Sequence, residues 1–337
     1  MSTNTRLADR RAAAADSTAG KGARLLLELL QKQPAAVVFV AVAGVAWLTL
    51  PHFGSGTNMR DLAMQSSFLA VIALGMTFVI ISGGIDLSAG SVYALGGVLA
   101  AYGSQWGFVA ALLLPLAVCG LIGMINGVLV ARTGMAPFIV TLATLLFARG
   151  LLLAITEEGA TTYKIERGQA FLEIGRGTLF GIGYPVYLTL LLFAAGAVLL
   201  RRTAFGQVVF ATGGSERSAV LMGLPVIRTK ILVYTLSGLL SGFAGAMTAA
   251  YLESGVTVIG VGTELDAIAA VVIGGTLLTG GVGTVIGTIF GVLLRNVIQD
   301  IINEIGTLDS NYQSVVSGGF LLVVVVLQRL LGYVRRV

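Results

Sequence analysis

Few side chains in this chain are able to make or break bonds: one histidine, His52, and one cysteine, Cys119, stand among 337 residues. That inventory excludes a His/Cys metal cluster, a disulfide framework and any triad that needs more than one imidazole. His52 follows Pro51 just past the first apolar stretch, where a loop role is expected. Cys119 sits inside an apolar stretch and reads as a small packing residue. No GxxxxGK[ST] phosphate loop occurs, so the chain by itself is not expected to hydrolyse ATP. No catalytic residue and no metal ligand is assigned.

What remains is the chemistry of polar groups inside apolar stretches: Gln65, Ser66, Ser67, Thr77, Asp86, Asn126, Thr141, Thr144, Arg149, Asp266, Asn296 and Gln299. Burying such groups in a bilayer is costly, and they tend to face a bundle interior or an aqueous path. Gln65, Ser66 and Asn126 are the candidates for a polar substrate path. Asp86 and Asp266 lie near expected helix ends, where a carboxylate accepts hydrogen bonds from free backbone N–H groups; that role is favoured over ion coupling. Arg149 is expected to snorkel outward toward Glu157 or Glu158. A chain of buried carboxylates is missing, which weakens a proton- or sodium-driven mechanism.

A second feature is a glycine element that occurs twice. Residues 82–91 read SGGIDLSAGS, and GGTLLTGGVG follows 191 positions later. At that offset Gly83 and Gly84 fall on Gly274 and Gly275, Leu87 on Leu278, Ser88 on Thr279, Gly90 on Gly281 and Gly96 on Gly287. These glycines, with Asp86 between them, mark helix breaks. Backbone that leaves the helix at membrane depth is tolerated only where protein or water satisfies it, so such breaks mark a pathway. Most other glycines, such as Gly123 and Gly127, are expected to let helices approach closely.

The elements that position these residues follow from composition. Hydrophobic residues make up 56% of the chain and charged residues 11%, against roughly 25% charged in a soluble domain. Mean hydropathy is +0.93. The expected fold is an all-α polytopic membrane protein of about ten transmembrane helices, some short or broken, with an internal repeat. Apolar stretches cover 34–50, 62–81, 91–104, 107–131, 136–155, 184–200, 229–251, 265–279, 284–302 and 313–331. The third and eighth are short, flank the glycine elements and are expected as half-spans or kinked helices. With this count the two elements would be parallel repeats, although one miscounted half-span makes them inverted.

Basic residues orient the chain. Arg6, Arg10, Arg11, Lys21, Arg24 and Lys32 precede the first stretch, and Arg329, Arg335 and Arg336 follow the last, so both termini are expected in the cytoplasm. Arg132, Arg201, Arg202, Arg217, Arg228 and Lys230 then also fall inside, while 157–183 falls outside. Residues 1–33 form a largely disordered cytoplasmic tail in this reading, distinct from a cleavable signal peptide, and 34–337 form the transmembrane domain. The net charge of +5 reports topology and contact with anionic membrane lipid, not nucleic acid.

The segment 201–228 is the one sizeable cytoplasmic loop expected. It should hold a short helix with Ser215 as its cap, Glu216 at its positive end, and Gly223 and Pro225 as its stop. Its small residues would let another protein dock closely.

Three stretches in order carry a family resemblance: GGIDLSAGS at 83–91, TAFG at 203–206 followed by ATGGSERSAVLMGL at 211–224, and ELDAIAAVVIGGTLLTGGVGTVIGTIFGVLL at 264–294. Together they resemble the permease subunits of bacterial sugar ABC importers of the ribose, galactose and xylose type. Within that group the chain looks most similar to permeases of the galactofuranose importer. The resemblance covers nearly all of residues 34–331. It implies a core of two permeases, identical or paralogous, in the bacterial inner membrane. It also implies a periplasmic sugar-binding protein and a cytoplasmic ATPase subunit that binds ATP and Mg; no cofactor is implied for this chain. The positions matching the family's coupling loop are Thr203, Phe205, Gly206, Ala211, Gly213, Ala219 and Gly223. Ser215 and Gln207 depart from it, since Asn and a basic residue are frequent there. Two rivals remain at this point, a branched-chain amino acid permease of the same wider superfamily and a secondary transporter.

Overall fold

A computed structural model of the chain describes residues 34–305 and, beyond them, only residues 315, 318, 319 and 322. The expected tail 1–33, the basic residues at both ends and nearly all of the stretch 313–331 lie outside the described residues.

The helices are α1 (Pro34–Thr49), α2 (Gly56–Ile81), α3 (Ala89–Gly103), α4 (Phe108–Thr133), α5 (Pro137–Ile155), α6 (Leu172–Arg176), α7 (Tyr184–Arg202), α8 (Ala204–Gly214), α9 (Glu216–Leu221), α10 (Val226–Leu252), α11 (Thr263–Ile273) and α12 (Val285–Ile305). A hairpin of two-residue strands, β1 (Thr178–Leu179) and β2 (Ile182–Gly183), precedes α7. Among the described residues α2, α4, α5, α7, α10 and α12 are long and apolar enough to cross a bilayer. The chain is an all-α, multi-pass membrane protein.

Local chemistry sets the boundaries. Ser55 caps α2 by accepting a hydrogen bond from Asn58 N at 3.2 Å. Gly134, left-handed at φ 70°, ends α4, and Pro137 opens α5 at a position where a missing N–H costs nothing. Arg201 and Arg202 lie at the negative end of α7. The stretch 265–279 differs from expectation: apolar residues continue to Leu278, but the helix stops at Ile273 because the next two residues are glycines. With 11 residues, α11 is about 16 Å long at 1.5 Å per residue, and the 15 residues of α3 reach about 22 Å. Neither matches a hydrocarbon core of about 30 Å.

Two helices form the centre. In α2 and α10, 89% and 67% of the most apolar window is buried, against 33%, 22% and 28% in α4, α5 and α7. The outer three helices turn Leu121, Leu146, Phe147 and Leu191 outward, as a lipid-facing surface requires. The centre closes through small residues rather than large ones. A Cβ at Gly96 would stand 2.7 Å from Gly242 Cα, and one at Gly127 would stand 2.7 Å from Ile231 Cα, so α3 and α4 lie backbone to backbone against α10.

The bundle has two distinct ends. At one, His52 N donates to Glu304 Oε1 at 2.9 Å, Asn58 Nδ2 donates to Asp300 Oδ2 at 2.7 Å, and Arg167 and Arg176 pair with Glu253. At the other lie the breaks after α2 and α11 and the helices α8 and α9.

Candidate functional site

Both glycine elements begin with the same helix stop. After α2, Gly83 N donates to Ile80 O and Gly84 N to Val79 O; after α11, Gly275 N donates to Val272 O and Thr276 N to Val271 O. The left-handed residue is Gly83 at φ 84° in the first and Gly275 at φ 91° in the second. This is the glycine-dependent C-cap in which two crossed bonds satisfy the last carbonyls. Its equivalences pair Gly83 with Gly275 and Gly84 with Thr276, one residue away from the sequence alignment.

Beyond the caps the alignment fails, because the connection 82–88 is shorter than 274–284. Ser88 is buried while Thr279 is exposed. Gly90 lies in the first turn of α3, where a Cβ would come within 2.5 Å of Gly260 O. Gly281 instead occupies a turn at φ 74°. The extra residues of the second element fold back on themselves, with Gly280 N donating to Leu277 O at 2.9 Å and Leu277 N to Val282 O at 3.1 Å.

The two elements and the long loop meet in one place. Gly281 N donates to Ile81 O at 2.9 Å, tying the second break to the end of α2. Gly213, in the last turn of α8, packs against both: an added Cβ would overlap Ile81 O and lie 2.5 Å from Gly281 N. A Cβ on Gly280 would lie 2.9 Å from Gly83 Cα and 3.0 Å from Gly213 O. Only residues without side chains allow three backbone segments this close. Gly274 packs elsewhere, against Gly287 of α12.

The loop holds two helices rather than the single one expected. Thr203 caps α8 by accepting from Gly206 N at 3.3 Å. Ser215 Oγ caps α9 through Ser218 N at 3.3 Å, and Glu216 pairs with Lys230 at 2.6 Å. Gly223, at φ 74°, ends α9. Phe205 stacks near Phe78 of α2, with ring centroids 6.3 Å apart, so α8 is seated on the bundle. Ala211 is half-buried and Ala219 fully buried. Val220, Leu221 and Met222 project outward at 57%, 81% and 67% exposure, an apolar knuckle that sequence reasoning did not single out. Its signal was three large apolar residues between the polar run 215–218 and a helix-stopping glycine.

Asp86 anchors a closed polar knot in the first break. Its carboxylate accepts from Ser88 N at 3.0 Å, from Ser88 Oγ at 2.5 Å and from Ser237 Oγ of α10 at 2.7 Å. Asn126 of α4 donates to Ser88 Oγ at 3.0 Å and accepts from Thr144 of α5 at 2.6 Å. Asp86, Ser88, Asn126 and Ser237 are all buried. The knot therefore fixes the break against three helices.

Gln65 and Ser66 lie elsewhere, in a cleft between α2 and α12. Asn58, Asp61, Gln65, Asn296, Gln299, Asp300 and Asn303 line a pocket there of about 40 Å³. Asn296 donates to Ser66 Oγ at 2.9 Å. At the inner end Arg295 donates to Gln299 and to Asn296 Oδ1, and pairs with Asp266 of α11 at 2.5 Å. Asp266 thus holds an arginine rather than free helix N–H groups. The structure brings together two of the three expected path residues, Gln65 and Ser66, and separates Asn126 from them. Residues missed here, Asn58, Asp61, Asp300 and Asn303, had a signal: polar residues three, four or seven apart on two apolar helices form one stripe on each.

Arg149 also departs from expectation. Its guanidinium donates to Thr257 O at 2.8 Å and Ile259 O at 3.2 Å, not to Glu157 or Glu158. The segment between α10 and α11 packs beside α5, where its bare carbonyls accept from the half-buried guanidinium.

A multi-pass bundle with two helix breaks, and with a helical loop seated against both, is the kind of interrupted membrane fold in which pathways are built. The chain matches the family described as "Branched-chain amino acid transport system / permease component" over residues 58–325 and belongs to it. It is 41% identical over 294 residues to the ribose import permease protein RbsC of Bacillus subtilis, covering 87% of this chain and 90% of that one. It is 36% identical over 300 residues to the L-arabinose ABC transporter permease protein AraH of Azospirillum brasilense, covering 88% and 87%. It is 42% identical over 287 residues to the inner membrane ABC transporter permease protein YjfF of Escherichia coli, covering 83% and 86%. No solved structure matches. Within the family the chain is a permease of the sugar ABC-importer type, and the amino-acid alternative is not favoured.

Proposed function

We propose that this chain is one of two permease subunits, identical or paralogous, of an ATP-driven importer that passes a monosaccharide from periplasm to cytoplasm. Ribose, galactofuranose or a similar sugar is the cargo of this reading, by the names of the relatives and the motif resemblance. In this reading the chain lies in the inner membrane with about ten spans, and both termini are cytoplasmic. The end carrying α8 and α9 faces the cytoplasm. The gathering there of Arg132, Arg201, Arg202, Arg217, Arg228 and Lys230 supports that orientation.

The observation that carries the reading is the glycine junction. A cytoplasmic ATPase subunit, which binds ATP and Mg, docks on the exposed Val220–Met222 knuckle of α9. Closure of the ATPase displaces α8, and Gly213 passes the movement to the ends of α2 and α11 at once. Two helix breaks of the same capped design form the repeat that moves. A periplasmic sugar-binding protein delivers the cargo, and the chain performs no chemistry on it.

Deleting Ala219–Gly223 removes the knuckle without touching a membrane-spanning helix. Sugar uptake and sugar-stimulated ATP hydrolysis by the assembled transporter should be lost, while the chain still inserts in the membrane. Undiminished uptake would sink the coupling role of the loop.

A further inference from the structure

The chain leaves the helix at a third place, which the repeated glycine elements do not mark. Residues 253–262, between α10 and α11, hold no helix, and the two helices beside them measure their depth. The first is α3, which ends on the Glu253 side of the bundle: Tyr102 meets Tyr163 there, with ring centroids 5.1 Å apart, and Tyr163 O accepts from Gly255 N at 2.9 Å. Gly260 packs on Gly90 O and Ala94 Cβ of α3, thirteen and nine residues before Gly103, so it lies about 14–20 Å below that end at 1.5 Å per residue. From the opposite end, α11 spans about 16 Å between the stop at Gly274–Gly275 and Thr263. In a hydrocarbon core of about 30 Å the segment therefore descends to mid-depth.

Unlike the two capped breaks, this one is open. Its carbonyls are partly answered: Thr257 O and Ile259 O accept from Arg149, and Gly260 O accepts from Thr263 N at 3.3 Å. Its amides are not, since among the described residues the N–H groups of 256–261 donate to no acceptor. Val258 and Val261 are 78% and 79% exposed, and Leu265 in the first turn of α11 is exposed beyond them. Glu264, half-buried and close enough to Arg149 for the two charges to attract, adds a carboxylate at the same level. Lipid is a poor cover for this face, because bare amides and a carboxylate at mid-depth find no partner in hydrocarbon. A dry protein contact would have to answer every one of those amides at once.

We propose that this face is one wall of a water-filled path, closed on its other side by the second permease subunit, with Val258, Val261 and Glu264 reached by water. The proposal rests on the two-permease import reading above and adds which face of the chain the path follows.

The test uses Val258→Cys and Val261→Cys, with Leu191→Cys on the lipid-facing side of α7 as reference, each in the complete transporter in membranes open to both faces. The rate at which a charged, water-soluble methanethiosulfonate labels this chain is measured. Uptake of radiolabelled ribose, arabinose, galactose and xylose is then followed in proteoliposomes made from each variant unmodified, modified, and modified then treated with a reductant. Both valine positions should be labelled at least about tenfold faster than Leu191→Cys, because the reactive thiolate forms where water reaches it. Modification should lower uptake about tenfold or more against the same variant unmodified, and the reductant should restore it. Labelling at both positions as slow as at Leu191→Cys overturns the proposal, being the result for a lipid cover or a dry subunit contact. Fast labelling with uptake unchanged also overturns it, because the face is then wet without lying on the path. A wild-type transporter that carries none of a broader sugar panel overturns the import reading and the path with it, whatever the labelling rates say of water at this face.

Discussion

Two polar clusters lie inside this apolar bundle, and they are built from similar residues to opposite ends. Around Asp86 every described polar group is buried and answered: the carboxylate accepts three hydrogen bonds, and Ser88, Ser237 and Asn126 close the circuit. Between α2 and α12, Asp61, Gln65 and Asn303 are exposed, beside the bonded pair Asn58–Asp300. A polar group in a membrane protein has two stable fates, saturation by protein or contact with water. The knot takes the first and holds a helix break in one shape. The cleft takes the second: its exposed groups face a pocket of about 40 Å³, near the size of a single water.

The contrast is sharpest in what substitutions should cost. Replacing Asp86 with Leu leaves the Ser88 amide, the Ser88 hydroxyl and the Ser237 hydroxyl without their acceptor. At about 1–3 kcal/mol for each buried donor left unmade, a loss of about 4 kcal/mol is expected, read as a collapse of the thermal transition in detergent. A loss below about 1 kcal/mol would mean that the knot is hydrated rather than closed.

Asn126 and Gln65 form the next pair, since both were nominated from sequence for the same path. Asn126→Leu deprives Ser88 of a donor and should cost about 2 kcal/mol. Gln65→Leu removes an exposed amide and should shift stability by less than about 0.5 kcal/mol in the same assay. Equal losses would erase the distinction between the two clusters.

Much of this architecture was legible in the residues. The described apolar helices coincide with the expected stretches to within a few residues at most ends, because long hydrophobic runs bounded by Gly, Pro and Arg leave few alternatives. Ser215 was readable as a cap because its side-chain acceptor directly precedes an acidic first turn. The helix α8 was not: its start at Thr203 lacks an acidic residue behind it, and AFGQVVFATGG has too many glycines to announce a helix. The two helix stops were visible as repeated glycines, but the register of their caps was not. A C-cap is defined by which residue turns left-handed, and a run of two glycines does not say which of them that is. Separating Asn126 from Gln65 and Ser66 needed three-dimensional partners, since all three are small polar residues in apolar runs.

The most direct test of the contrast uses single thiols. Cys119 is fully buried, which leaves the native chain nearly silent to a charged, water-soluble thiol reagent. Gln65→Cys places a thiol in the cleft, and Ser237→Cys places a near-isosteric one in the knot. In membranes open to both faces, the account predicts that Gln65→Cys is labelled at least about tenfold faster than Ser237→Cys, since access to water governs thiol reactivity. Equal labelling of the two thiols would contradict the division into a sealed knot and an exposed cleft.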